Sequence, residues 1–140
     1  MSLSLYLLDS NIIIYAQRGN ANVLKRMQEV GRDQIILSSV VVAELVFGVE
    51  KSLHKEQNRT ALHNLLSSFQ IQGWDESAAW IYASHYHRLL SAGTPIGIHD
   101  LQIGCQALAL EAVCVTNNTR EFERIEGLKL ENWVQPVTAA

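Results

Sequence analysis

The chain has 140 residues, 48% of them apolar or aromatic, which is enough for one ordinary domain with its own core. A formal charge of −3 and a pI near 5.9 exclude a protein that coats nucleic acid through a general basic field, so a phosphate-bearing substrate has to be held by a local cluster or a bound metal ion. Two cysteines without CxxC spacing, Cys105 and Cys114, exclude a zinc knuckle and a disulfide scaffold.

Leu5-Tyr6-Leu7-Leu8 reads as a buried parallel strand that runs into Asp9-Ser10-Asn11. Asn11 to Gln17, with three consecutive isoleucines, follows as a short helix capped by Ser10, and Gly19-Asn20 breaks it. Val23, Leu24, Met27 and Val30 recur at helical spacing, so Asn20 to Val30 is a second, amphipathic helix. Gln34 to Leu37 is a short strand, and Ser38-Ser39 caps a helix through Phe47. Within it Glu44 is the only charged residue between Asp33 and Glu50, an unusual place for a carboxylate.

Lys51 to Phe69 reads as helix interrupted near Lys55 to Asn58, and Phe69 to Trp74 as a weak strand. Asp75 or Ser77 caps a longer helix that Gly93-Thr94-Pro95 stops. Its two histidines, His85 and His87, are two residues apart and point to different faces, which makes them poor joint metal ligands. A helix starting near Ile96 runs to Leu110 or Glu111 with Asp100 on its buried side. Ala112 to Thr116 is a second strongly apolar strand, which Asn117-Asn118-Thr119-Arg120-Glu121-Phe122 follows; a final strand is expected around Trp133-Val134. The tryptophans 74, 80 and 133 read as packing residues rather than base-stacking platforms. The chain contains no internal repeat and no interdomain linker, so residues 1–140 are expected to form one domain. It also lacks the pattern of a signal peptide and any apolar run approaching the roughly 18 residues of a membrane span, from which a cytoplasmic location is expected.

Strands alternating with helices imply a parallel sheet with helices on both faces and right-handed crossovers. Such sheets bind ligands beyond the carboxyl ends of their strands. Asp9 leaves the first strand at that edge, Glu44 lies little more than a turn into a helix that starts there, and Asp100 opens the helix that feeds the strand at Val113. The turn from Thr116 to Glu121 emerges at the same edge. Taken singly, Asp9 reads as a capping acid, Asp100 as an acid favoured by a helix dipole and Glu121 as a solvated residue. Taken together, carboxylates this close raise one another's pKa and require protons or a hard cation. Oxygen donors without paired histidines or thiolates favour Mg²⁺, with Mn²⁺ as a substitute. The matching chemistry is attack of a metal-activated water on a phosphodiester.

Leu8-Asp9-Ser10-Asn11, the Ser38-Ser39 to Glu44-Leu45 segment ending in Phe47-Gly48, Pro95-Ile96-Gly97 with His99-Asp100, and Val115-Thr116-Asn117-Asn118-Thr119-Arg120-Glu121-Phe122 together resemble the PIN-domain ribonucleases. More narrowly, they resemble VapC-type toxins of bacterial toxin–antitoxin systems. The resemblance implies an α/β/α sandwich with a central parallel sheet of four to five strands. It further implies a Mg²⁺- or Mn²⁺-dependent endoribonuclease, a homodimer, and inhibition by a VapB-type antitoxin. Asp9, Glu44 and Asp100 match the family's metal-binding acids, and they are the expected catalytic set. Where many members place an aspartate after the last buried strand, Asn117 or Asn118 stands here; Glu121, the nearest acid, is a metal ligand either directly or through water. Asn11, Thr116 and Asn117 look like the polar support of the site.

The resemblance also points to structured RNA, with tRNA, and initiator tRNA first, as substrate. Arg18, Lys25, Arg26 and Arg120 flank the acidic edge and are the expected RNA-binding cations. The apolar surface between the helices at 20–30 and 40–51 is expected to seat the antitoxin, with a basic side chain reaching the acids. Two competing functions remain: a catalytically silent PIN-like module that binds RNA or protein, and a small-molecule phosphohydrolase. The second normally carries another acid two residues after the first, where this chain has Asn11.

Overall fold

Apolar runs become strands and the periodic stretches become helices in the computed structural model, which describes residues 4–135. In chain order the elements are β1 (Tyr6–Leu8), α1 (Ser10–Gln17), α2 (Ala21–Val30), a 3-10 turn at Arg32–Gln34 and β2 (Ile35–Ser38). Then follow α3 (Ser39–Glu50), α4 (Lys55–Leu66), β3 (Gln70–Gln72), α5 (Glu76–Ser91), α6 (Ile98–Leu110), β4 (Val113–Val115), α7 (Thr119–Phe122) and β5 (Leu130–Glu131). Side-chain caps start four of the helices where the sequence puts short polar residues: Asp9 accepts from Ser10 N–H, Asn20 from Val23 N–H, Ser38 from Val40 N–H and Asp75 from Ala78 N–H.

The sheet order is β3-β2-β1-β4-β5, and every neighbouring pair is parallel. All five strands therefore end at one edge, and each return helix begins there. Tyr6, Leu7 and Leu8 of β1 pair with Val113, Cys114 and Val115 of β4, while Tyr6 and Leu7 pair with Ile35 and Ile36 of β2. The two most apolar segments thus lie side by side at the centre, with helices covering both faces. Leu7, Leu8, Ile12, Ile13, Leu37, Cys114 and Val115 are fully buried there. Burial of each such aliphatic side chain is worth about 1.5–3 kcal/mol. Gly104 lets α6 press against the segment after α7, because a Cβ at this position would collide with Ile125 and touch Phe122 and Leu128.

Four local expectations are corrected. The cap of α1 is Asp9, whose carboxyl accepts from Ser10 N–H, and Ser10 is the first helical residue. The break expected near Lys55 to Asn58 lies just before Lys55 instead, so α4 starts cleanly at Lys55. The last strand is Leu130–Glu131, not Trp133-Val134; Trp133 is buried beyond its end against Tyr6 and under the Arg26 guanidinium. Trp80 does not pack: it is 74% exposed on α5. Trp74 does, donating from its indole to the Gln102 carbonyl and stacking edge-on against Tyr82. Both cysteines are buried thiols, and burial pushes Cys105 up to about 12 and Cys114 well up from the usual range.

Candidate active site

The first acid is fixed by the sheet itself. Asp9 N–H donates to the Val115 carbonyl at 2.9 Å, which extends the β1–β4 ladder by one residue and sets the carboxyl at the strand ends. One carboxyl oxygen accepts from Ser10 N–H at 2.8 Å, the other from the Thr116 hydroxyl at 2.9 Å. Thr116 Oγ1 in turn accepts from Asn118 N–H at 2.9 Å, and Asn118 Nδ2 donates to Asp100 Oδ2 at 3.2 Å. A continuous hydrogen-bonded path therefore joins Asp9 to Asp100 through the turn after β4. Two acids from opposite ends of the chain are held to one spacing.

Glu44 enters from α3, and one of its oxygens lies 3.6 Å from His99 Nδ1 at the start of α6. Its other oxygen, Oε1, is buried with no hydrogen-bond partner. A buried acceptor left without a donor costs about 1–3 kcal/mol, more when it is charged.

All three acids titrate higher than ordinary carboxyls. Burial is the main cause for Asp9, opposed by the Thr116 and Ser10 hydrogen bonds and reinforced by the charge of Glu44. Burial also raises Glu44; the neighbouring His99 pulls the other way, and the charge of Asp100 adds to the rise. Asp100 is pushed up to about 6 by burial and then by Asp9, with Glu121 adding to it and the Asn118 amide opposing. Each acid thus feels at least one of the other two, and among the described residues His99 is the only basic group within 4.0 Å of any of them. That donor set fits a hard divalent cation: carboxylate oxygens in excess of protein cations, one of them with no donor. Among the described residues no three side chains close into a ready cage, so water would have to complete the coordination. Mg²⁺ characteristically keeps several waters.

Beside the acids opens a cleft of about 880 Å³, bounded by α1, α3 and α4 and lined by Ile14, Arg18, Leu45, Phe47 and Leu62 among others. Glu44 lines it directly, and so do Ser10 and His99, the immediate neighbours of Asp9 and Asp100. The surface expected between the helices at 20–30 and 40–51 is thus differently built, because α2 and α3 both pack on α1. A second hollow of about 440 Å³, lined by Leu24, Met27, Leu65 and Phe69, lies between α2 and α4.

The remaining expected residues divide. Thr116 grips the first acid, as its position suggested. Asn117 does not: its side chain is exposed, accepting from Asn132 Nδ2 at 3.2 Å and donating to the Tyr15 hydroxyl at 3.4 Å. Asn11 is exposed on α1, whereas the buried Ser10 beside it supports both Asp9 and Glu44. Glu121 lies near enough to raise Asp100, and it faces Arg124 at 4.0 Å. Arg18 lines the cleft with Glu44. Arg26 is engaged elsewhere, bonded to Glu29 and Glu131 and stacked over Trp133, and Lys25 lines a separate polar hollow with these residues and Asn132. Arg120 is exposed on α7. Three contributors escaped the sequence reading: Ser10 as a site residue, His99 as the neighbour of Glu44, and Asn118 as the donor to Asp100. The Thr116 hydroxyl closes a local turn by accepting from Asn118 N–H, and a Thr followed two residues later by Asn after a strand was the signal in the sequence.

The family model described as PIN domain matches residues 6–128. Ribonuclease VapC2 of Rickettsia felis is 39% identical over 131 residues, 92% of this chain and 98% of the relative. The tRNA(fMet)-specific endonuclease VapC of Salmonella typhimurium is 32% identical over 128 residues, 91% and 97% of the two chains. Among solved structures, VapBC2 from Rickettsia felis bound to a DNA fragment from their promoter superposes with a TM-score of 0.87 at 37% identity, covering 92% of this chain and 98% of that one. DNA-bound VapBC from Salmonella typhimurium gives a TM-score of 0.87 at 32% identity, covering 93% and 98%.

Proposed function

The chain belongs to the PIN-domain family of VapC ribonucleases, and from that premise we propose that it is the toxin of a toxin–antitoxin pair, an endoribonuclease that hydrolyses RNA phosphodiester bonds at Asp9, Glu44 and Asp100. The observation that carries the assignment of these three residues is the unpartnered, buried Glu44 Oε1 in a rim of carboxyls that raise one another. Family members of this kind depend on a divalent metal ion; Mg²⁺ is our choice for the ion, with Mn²⁺ as a substitute, and Asp9, Glu44 and Asp100 are its proposed holders. When bound, such an ion lowers the pKa of water and neutralises charge on the phosphoryl oxygens.

The chain's own groups do the rest. Thr116 and Asn118 hold Asp9 and Asp100 at a fixed spacing, so little reorganisation is needed when the substrate arrives. His99 and Ser10 set the orientation of Glu44 from two sides. Arg18, on the cleft wall, is placed to meet a substrate phosphate next to the scissile one. Glu121 acts on Asp100 through its charge, and as a ligand only by way of water.

For the substrate we choose tRNA, with initiator tRNA tested first, because the Salmonella relative is named a tRNA(fMet)-specific endonuclease. For the partner we choose a VapB-type antitoxin, because solved complexes of relatives pair the two proteins. The cleft between α1, α3 and α4 supports this choice: Ile14, Leu45, Phe47 and Leu62 offer an apolar floor, and Glu44 offers a terminus for a basic side chain. A homodimer completes the proposal, supported by apolar side chains left exposed outside that cleft at Val46 and Trp80. Action in the cytoplasm is part of the proposal because tRNA is met there; among the described residues no helix is long and apolar enough to cross a membrane.

The test is incubation of the purified chain with unfractionated tRNA and with a small phosphomonoester, in Mg²⁺ and in EDTA. Endonucleolytic fragments of tRNA in Mg²⁺ alone are expected, and none from a folded Asp9→Asn chain. Phosphomonoester turnover without tRNA cleavage would overturn the assignment in favour of a small-molecule phosphohydrolase. RNA binding with no cleavage of any RNA would leave a silent binding module.

A further inference from the structure

We infer that Tyr15, Asn117 and Asn132 form a ribose-reading surface beside the acids, which recognises the 2′-hydroxyl of a nucleotide flanking the scissile phosphate; this rests on the ribonuclease reading above. The three side chains come from α1, from the turn after β4 and from the segment after β5, yet they hydrogen-bond in a row: Asn132 Nδ2 to Asn117 Oδ1, and Asn117 Nδ2 to the Tyr15 hydroxyl. Asn132 is itself anchored, its side-chain oxygen accepting from Val134 N–H at 3.0 Å. The row is therefore set by the fold rather than being a chance meeting of long side chains.

Its place is decided by its neighbours. Asn117 stands between Thr116, which donates to Asp9, and Asn118, which donates to Asp100. The exposed Asn117 is thus one residue along the chain from each of the side chains that hold the two acids, a separation within the span of one nucleotide. Chemistry then narrows what that face binds. The row itself carries no charge, and in the hollow that Asn132 shares with Lys25 and Arg26 the guanidinium is already paired with Glu29 and Glu131, so the row does not suit a phosphate. Tyr15 is half-buried with its hydroxyl already engaged, so it offers no open ring for stacking. What the row retains is neutral valence: one amide hydrogen on each asparagine, the Tyr15 hydroxyl hydrogen, and a second lone pair on Asn117 Oδ1. Adjacent donors and acceptors of this kind suit a group that both donates and accepts, and the ribose 2′-hydroxyl is the group that separates RNA from DNA. Asn117, expected to orient the first acid, faces the substrate instead.

The test measures binding of a fluorescent oligoribonucleotide and of its all-deoxy counterpart to the full chain carrying Asp9→Asn, so that no turnover intervenes. A preference for the ribose backbone of about tenfold is expected, the scale of one or two hydrogen bonds. Asn117→Ala and Asn132→Ala should each reduce that preference severalfold while leaving affinity for the deoxy strand unchanged. A preference retained in both variants, no preference before substitution, or an equal loss on both backbones would overturn the inference. Cleavage is scored separately on the chain with Asp9 intact. Erased preference in a chain that cuts no RNA would sink the nuclease reading and leave this surface standing, and cleavage with preference unmoved would do the reverse.

Discussion

Two groups of acids on this chain are treated in opposite ways. Along α2 and β5, Glu29 and Glu131 share the Arg26 guanidinium, and at the end of α3 Glu50 is held below the usual range first by the Arg59 hydrogen bond and then by the charges of Arg59 and Lys55. Those acids have their cations supplied by the chain. At the carboxyl edge of the sheet, Asp9, Glu44 and Asp100 are all pushed up, and among the described residues His99 is the only basic group within 4.0 Å. Burial without a counter-charge is destabilising unless the carboxyls take up protons or a cation from outside the chain, and the second is the role proposed for this rim. The contrast separates acids that hold the fold from the acids proposed to hold an ion.

The largest effect should follow from removing charge at the second group. Asp9→Asn or Asp100→Asn should lower RNA cleavage by about a thousandfold or more with the fold intact, since this is the scale lost when a group at the reacting centre is removed. Glu131→Gln should leave cleavage near its starting rate. Equal losses at both places would erase the distinction. Next in size is Thr116→Val, which deletes the donor to Asp9 and the acceptor for Asn118 while keeping the shape. Loss of a group that orients a metal-binding acid costs about 10–100-fold, and Thr116→Ser should restore most of it.

Protons offer a third way to sharpen the comparison. In EDTA the folded chain holds a proton on Asp100 up to about pH 6, whereas an unfolded aspartate loses it near pH 4. More protons are bound folded than unfolded in that window, so stability from this group falls as pH rises from about 4 to about 6. Glu50, with its pKa lowered, contributes in the opposite direction, its stabilisation being lost as pH falls through its folded value. Melting temperatures of wild type and Asp100→Asn across that window check the sign: the difference between them should shift in favour of the variant as pH rises. The smallest effect belongs to the first group. Arg26→Ala should cost about 1 kcal/mol, through lost stacking on Trp133 and partly exposed ion pairs, with the rate of RNA cleavage unchanged.

Much of this was legible in the residues, for reasons that can be named. Leu5 to Leu8 and Ala112 to Thr116 were readable as strands because both faces of a central parallel strand are buried and the apolar run is unbroken. That the three acids share one edge followed from parallel topology alone, without any side-chain geometry. The cap of α1 was not readable, because Asp9 and Ser10 are both good caps and the choice depends on the ladder bond from Asp9 N–H to Val115. The last strand was missed because Trp133 owes its burial to Tyr6 and Arg26 rather than to pairing, while the paired residues Leu130 and Glu131 are only half-buried. Arg26 looked like an RNA-binding cation because sequence shows charge without partners, and its partner Glu131 is 105 residues away.

The claim that the acid rim is built for a divalent ion can be measured without any RNA, by melting the metal-free chain and its Glu44→Gln variant in EDTA and in Mg²⁺. Mg²⁺ is predicted to raise the melting temperature of the wild type, by the several degrees that about 2–3 kcal/mol of ligand binding gives at saturating ion. Glu44→Gln is predicted to be at least as stable as wild type in EDTA and to lose most of the response to Mg²⁺. A wild type indifferent to Mg²⁺ and Mn²⁺, with a Glu44→Gln variant that melts lower than wild type in EDTA, would contradict the claim.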